Sequence, residues 1–441
     1  MINFLNKNIF FFSILTALIP FFLITGPFLP DLILSLLSLF FLILILVEKK
    51  FYFFKEKLFY YFIFFYSLTI VSAILSPNFK SIIISTILYI RFGVFVLFVK
   101  FLIKNDQKFI EYSKNILLLC FFILLVDSTI QFLFGKNIFF LEPPFSRVTS
   151  FFGTKSVLGS YISRLCPLLI FLILVSKKKN YTFLKEIILY VTIFLCLISG
   201  ERASFIFSIV IFFSYLFISK IKIKIIFLNI LIFLLIFLLA ISFNKVLKAR
   251  VIDQFFNQIS ITSKETTISF PTKKELEEKK QTTRNMFIPK EKYFIPIKYY
   301  LMYKSAANIF LDNIFFGSGP RTFRIECYKE KYFYADSYVI NNNPLLKEKG
   351  LSDIDSCSTS PHNLYLQLLS ETGVISFFFV LFIFLNSFYN VFFNKIKYEK
   401  KILLIPLLIF FNPIVPIGNI FGNYINIIFF FSISYLTYYE K

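Results

Sequence analysis

A single histidine, His362, occurs in the 441-residue chain, within the segment STSPHNLYLQLLSETG that runs from Ser358 to Gly373. Imidazole exchanges its proton near neutrality, so its placement is the first clue to any acid–base chemistry. Ser360 followed by Pro361 reads as a helix start, with a capping hydroxyl and a proline at the first helical position. Gly373 suits the other end. On such a helix Asn363, Gln367 and Glu371 recur at four-residue spacing along one polar stripe, while Leu364, Leu368 and Leu369 face apolar surroundings. In the first turn the helix dipole disfavours imidazolium, so His362 is expected as a neutral proton acceptor beside amides that favour an anion. Glu371 is the rival base, more than two turns further along. The plain alternative is an interfacial histidine that makes one hydrogen bond.

A diphosphate at that anion site would need several cations. Arg147, Arg202 and Arg321 are far apart in sequence, yet the charge pattern puts them on the same membrane face as His362. Their guanidinium forks match phosphate oxygens. Taken singly, each is also accounted for as a residue that snorkels to the interface, and that is the reading for Lys136 and Lys155. Arg91, Asp127 and Arg164 fall within apolar runs, where charge is expensive. They fit either a positive, water-filled vestibule in which Asp127 balances one arginine, or structural Asp–Arg pairing, which is the preferred reading for Asp127. A lone histidine offers little to a metal ion, and no metal is expected.

The surrounding elements must be membrane helices. The chain is 57% hydrophobic and 21% aromatic, with many apolar runs near the ~20 residues that a bilayer-spanning helix needs. The fold class is therefore an all-α polytopic membrane protein of about twelve spans, expected at 9–26, 32–47, 58–75, 81–99, 114–134, 157–176, 182–199, 203–219, 225–243, 374–393, 402–418 and 420–437. The formal charge of +22 could suggest a nucleic-acid partner, but the lysines cluster in short connections between apolar runs, as topology signals do. They follow the even-numbered spans, which predicts both termini in the cytoplasm and odd-to-even connections outside. The first run lacks a small-residue cleavage site and leads into Gly26-Pro-Phe-Leu-Pro30, so it is expected to remain as a span. Three parts result: spans one to nine in 1–243, a long outward segment in 244–373, and spans ten to twelve in 374–441. Early in the outward segment a charged stretch, 263–292, is poor in core formers. Residues 299–313 carry apolar side chains at helical spacing and then break at Gly317-Ser-Gly-Pro320.

Six stretches in order resemble the O-antigen ligase superfamily, which includes O-antigen polymerases and protein O-oligosaccharyltransferases. They are DSTIQFLFGKNIFF (127–140), RVTSFFGTKSVLGSYISRLCPLL (147–169), SGERASF (199–205), NIFFGSGPRTFRIEC (313–327), CSTSPHNLYLQLLSETG (357–373) and PIGNIFGN (416–423). Members often carry a second histidine two residues before this one, where the chain has Ser360, so His362 would act alone. The resemblance implies transfer of a glycan from undecaprenyl diphosphate to an acceptor hydroxyl, lipid A-core in the ligase version, at the periplasmic face of the bacterial inner membrane. No cofactor is implied. His362 would be the general base, Arg202 and Arg321 would bind the diphosphate, and Arg147 would assist. Arg91, Arg164, Asn363 and Glu371 would be accessory.

Cys120, Cys166 and Cys196 lie in spans, whereas Cys327 and Cys357 both lie in the outward segment. A disulfide between the latter two would hold Arg321 near His362 in an oxidising compartment. Outside the enzyme class the alternative is a polysaccharide transporter, but no internal repeat of that kind is visible.

Overall fold

Runs of Leu, Ile and Phe can satisfy their backbone in hydrocarbon only as helix, because each amide must find its partner within the segment. The structure is a computed structural model and describes residue 5 and residues 7–142, 147–176, 182–219, 223–243, 297–336 and 354–439. Helices α1 (Ile9–Ala17) and α2 (Ile19–Thr25) share the first expected span. They part at Leu18, because Pro20 in the first turn of α2 has no amide to bond back into α1. Helices α3 (Phe28–Val47) and α4 (Lys57–Leu75) follow. The fourth expected span is divided into α5 (Phe79–Ile87) and α6 (Ile90–Asn105). Next come α7 (Phe109–Phe134), α8 (Leu158–Val175), α9 (Thr182–Ile198), α10 (Arg202–Ile218) and α11 (Ile223–Phe243).

Helix α8 is buried along almost its whole length and packs against α7, α9 and α10. Around it α3, α4 and α7 turn large apolar side chains outward, among them Leu36, Leu39, Tyr60, Phe64 and Phe122. Such a surface suits lipid rather than water. Helices α4 and α6 approach so closely at Gly93 that a Cβ there would lie 2.2 Å from the Phe62 ring.

The long segment between the ninth and tenth expected spans contributes α12 (Ile297–Asp312), the single turn α13 (Phe323–Glu326), and a two-residue antiparallel pairing of β1 (Ala335–Asp336) with β2 (Ile354–Asp355). Cys327 and Cys357 form a disulfide with Cα atoms 5.4 Å apart. The charged stretch 263–292 lies outside the described residues. Helix α14 (Leu364–Phe392) then joins the histidine segment to the tenth expected span. Helices α15 (Tyr398–Phe410) and α16 (Asn423–Ser434) complete the set, followed by a 3-10 turn at Tyr435–Tyr439.

Every expected span holds helix, but six stretches are long and apolar enough to cross a membrane by length and composition: Phe28–Val47, Lys57–Leu75, Phe79–Asn105, Phe109–Phe134, Leu158–Val175 and Leu364–Phe392. The last two expected spans, 402–418 and 420–437, are shorter than expected. Residues 412–422 form no helix, because Pro413 and Pro416 cannot donate amides, and Asn412 Oδ1 instead accepts from Ile414 N and Val415 N at 2.8 and 2.9 Å. Lys100, expected to mark a cytoplasmic connection, is buried and paired with Glu56.

Candidate active site

Two glycine turns lock the segment before His362 to α14. Ser318 N and Gly319 N donate to the carbonyls of Ser370 and Glu371, and Val374 N donates to Ile314 O, each at 2.9 Å. A Cβ on Gly317 would lie 2.3 Å from the Glu371 carbonyl carbon, and one on Gly373 would lie 2.0 Å from the Phe315 oxygen. Both glycines hold positive φ, 67° and 79°, so neither position accommodates a side chain. Gly373 therefore ends the first helical stretch, as the spacing predicts, with a φ of 79° and a ψ of −178° that are not helical. It kinks α14, and the chain continues beyond it.

Glu371 is buried in this seam. One carboxylate oxygen accepts from Phe323 N and the other from Gln367 Nε2, both at 2.9 Å. The carboxylate thus holds the turn that carries Arg321 and is not part of the cavity wall described below. Both oxygens are engaged in that join, away from the cavity that holds His362.

His362 stands ahead of α14, not in its first turn. Asn363 is the N-cap, with Oδ1 accepting from Tyr365 N at 3.0 Å and Leu366 N at 3.1 Å, while its Nδ2 donates to Pro413 O at 3.1 Å. His362 itself has a φ of 57°, which redirects the chain into the helix. Among the described residues the expected cap, Ser360, has a buried hydroxyl without a hydrogen-bond partner.

The imidazole is clamped by residue 417. Nδ1 lies 3.3 Å from Ile417 O, and Ile417 N donates to His362 O at 3.0 Å. A neutral ring donating from Nδ1 keeps its lone pair on Nε2, which lies 3.2 Å from Ser358 Oγ. Burial pulls the His362 pKa below the ordinary histidine value; the bond to Ile417 opposes this and the charge of Lys298 adds to it. The neutral proton acceptor expected from the helix dipole is therefore favoured chiefly by burial.

A cavity of about 1830 Å³ opens beside the ring, and its wall includes His362, Asn363, Arg147, Arg164, Arg202, Arg321, Arg324 and Lys155. Glu201 is the one carboxylate among its described lining residues. Arg202 begins α10 and feels the charge of Arg147, whose buried Nε has no hydrogen-bond partner among the described residues. Arg321 has a φ of 65° and donates from one terminal nitrogen to Phe421 O and to Asn423 Oδ1, the latter at 3.3 Å. Arg164 is held over the rings of Phe207 and Phe410, 5.3 Å from each centroid, and donates to Ser160 O at 3.3 Å. Glu201 caps α8 by accepting from Gly159 N at 2.8 Å and Ser160 N at 3.1 Å. Its burial pushes its pKa up, against those donors, the Ser204 hydroxyl and the nearby charge of Arg164.

Of the two readings for charge within the spans, structural Asp–Arg pairing holds for Arg91, and it fails for Asp127, for which it is the preferred reading from sequence. Arg91 does not line this cavity; it pairs with Asp31 at 2.9 Å and lies 4.9 Å over the Phe92 ring. Asp127 balances no arginine. Its carboxylate accepts from Ile138 N at 2.9 Å and from Ser150 Oγ, because the chain after α7 folds back over the helix end and brings unpaired amides to it. The sequence of the long segment between the ninth and tenth expected spans also carries Asp353 and Asp355, an acidic pair relevant to any metal reading. Asp355 Oδ1 accepts the Cys357 amide at 3.0 Å and so serves the turn beside the disulfide.

Sequence reasoning did not single out Glu201, Arg324, Tyr299 or Tyr303, all at the cavity wall. It named 416–423 among the similar stretches but divided the 412–422 loop between two spans, although two prolines and two glycines in eleven residues mark a break.

Apolar helices with lipid-suited surfaces around this cationic cavity define a membrane protein. Residues 187–381 match the family model described as O-antigen ligase, which supports the O-antigen ligase-like superfamily for this part of the chain. That family implies a glycosyltransferase-like enzyme with a lipid-linked glycan donor and a polysaccharide acceptor. The matched region takes in Arg202, Arg321, His362, Glu371 and both disulfide cysteines, but neither Arg147 nor the 412–422 loop. No curated protein matches the chain.

Proposed function

We propose that the protein transfers a glycan from undecaprenyl diphosphate to an acceptor hydroxyl, with lipid A-core as the acceptor, at the periplasmic face of the bacterial inner membrane. The observation that carries this reading is a single cavity whose wall holds His362 together with Arg147, Arg202 and Arg321. In the reaction the acceptor hydroxyl takes the place of Ser358 Oγ as the partner of His362 Nε2 and gives up its proton there. Its oxygen attacks the anomeric carbon as the bond to the phosphate oxygen breaks, and the electron pair leaves with the diphosphate. The arginines offset the charge that grows on that leaving group. Direct displacement inverts the anomeric centre. The chain crosses the membrane about twelve times with both termini in the cytoplasm, which puts the cavity on the outer side.

Activity is expected to survive EDTA, because a wall of cations is a poor donor set for a metal ion. The test is release of undecaprenyl diphosphate from a lipid-linked glycan by purified protein with lipid A-core and excess EDTA. Acceptor-dependent release that falls roughly 10²- to 10⁴-fold in His362→Ala supports the reading. Equal release by both proteins removes His362 from the chemistry. No release with lipid A-core, but turnover with a growing glycan or a protein acceptor, moves the protein to the polymerase or protein-glycosylating version.

A further inference from the structure

Arg321 is held by Phe421 and Asn423, and one chain of contacts runs from there past the cavity into the helices. Asn423, the first residue of α16, accepts from Arg321 through Oδ1 at 3.3 Å and donates through Nδ2 to Asp31 Oδ2 at 3.0 Å. The other carboxylate oxygen of Asp31 accepts from Arg91 at 2.9 Å. Asp31 lies in the first turn of α3, where the helix dipole favours a carboxylate, and its side chain is only 27% exposed. Arg91 is 16% exposed and its charge is felt at Arg321. One carboxylate therefore sits between two guanidinium groups, in direct contact with one and in contact with the other through an amide.

Resting on the diphosphate reading above, we propose that Asp31 is a positioning residue for the lipid diphosphate. Through Asn423 it fixes the direction of the Arg321 fork, and by pairing with Arg91 it lowers the repulsion Arg321 would meet when it turns toward the cavity. Asn423 suits this task because its amide accepts on one side and donates on the other. Arg321 also reaches Phe421 O, so the amide link selects one orientation of a guanidinium already confined to the 412–422 loop. Neither Asp31 nor Arg91 touches the ligand in this scheme, since neither lines the cavity.

The experiment measures binding of farnesyl diphosphate to the purified full chain by calorimetry, with a thermal melt of each variant beside it. Asp31→Ala and Asn423→Ala are each expected to weaken binding about tenfold, and the double variant to be little weaker than either, because both cut the same link. Additive losses overturn the relay. The swapped variant Asp31→Arg with Arg91→Asp separates positioning from structure. It can restore the ion pair, and with it the melting temperature, but an arginine cannot accept the Asn423 amide, so binding is expected to stay weak. Recovery of binding in the swap reduces Asp31 to a structural partner of Arg91 and overturns the proposal. If wild type binds and Asp31→Ala binds equally well, the relay fails while the diphosphate site stands. If wild type does not bind, the diphosphate reading fails and the relay with it.

Discussion

The seam between residues 314–323 and 370–374 and the loop at 412–422 both hold the site, and they do so by opposite means. In the seam, main chain meets main chain, with glycines at the closest approaches and the Glu371 carboxylate sealing the join. In the loop, side-chain amides reach main-chain groups: Asn363 to Pro413 O, Asn419 to Thr359 O, and Gln367 Oε1 to Ile420 N. A seam of that kind has one geometry and no room for a side chain. A loop held by several separate bonds can lose one and keep the rest. The comparison teaches that the Arg321 turn is set rigidly against α14, whereas the wall around His362 is held by bonds that can be removed one at a time.

The strongest way to break the contrast is Gly373→Ala. A Cβ there would lie 2.0 Å from a backbone oxygen at a φ of 79°, and the expected loss is on the order of 3 kcal/mol or more. Thermal melts of the purified protein would read it, and a melt like wild type would mean that the seam yields. A smaller effect, in activity and not in folding, is expected for Arg321→Lys. An ammonium cannot reproduce the fork that meets Phe421 O and Asn423, so kcat/KM should fall about tenfold with the melt unchanged.

Asn419→Ala probes the loop. It removes the bonds from Gln367 Nε2 and Phe421 N at 2.8 Å and to Thr359 O at 2.9 Å, yet a loss of only about 1–2 kcal/mol is expected because the neighbouring bonds remain. Collapse of the protein would show that loop and seam are equally brittle. The mildest perturbation is pH. Burial depresses the His362 pKa, so the ring stays neutral through pH 7 and activity should decline only as pH falls below the ordinary value of ~6.5. A pH profile of kcat/KM with its acid limb above that value would contradict a buried, neutral base.

Much of this was legible in the residues. Apolar runs marked where helix must form, since hydrocarbon leaves the backbone no other partner. The break at Gly317-Ser-Gly-Pro320 was visible as a turn, and Cys327 and Cys357 are paired in the structure. The helix start at the histidine was misjudged by three residues, because Ser360 and Asn363 are both good caps and local propensity does not rank them. Packing of the Asn363 amide against Pro413 O decides between them.

The sequence by itself therefore determined the solvent, the helices and the supply of one imidazole among many cations. These follow from composition and periodicity, which act over neighbouring residues. Only the tertiary structure decided the partners: Asp127 with its own loop rather than an arginine, Arg91 with Asp31, Glu371 with the Arg321 turn, and His362 with Ile417. Each of those bonds has a range of about 3 Å and joins segments separated by as many as 60 residues. A contact so short between positions so distant leaves no periodic trace in the chain, and it exists only once the helices have packed.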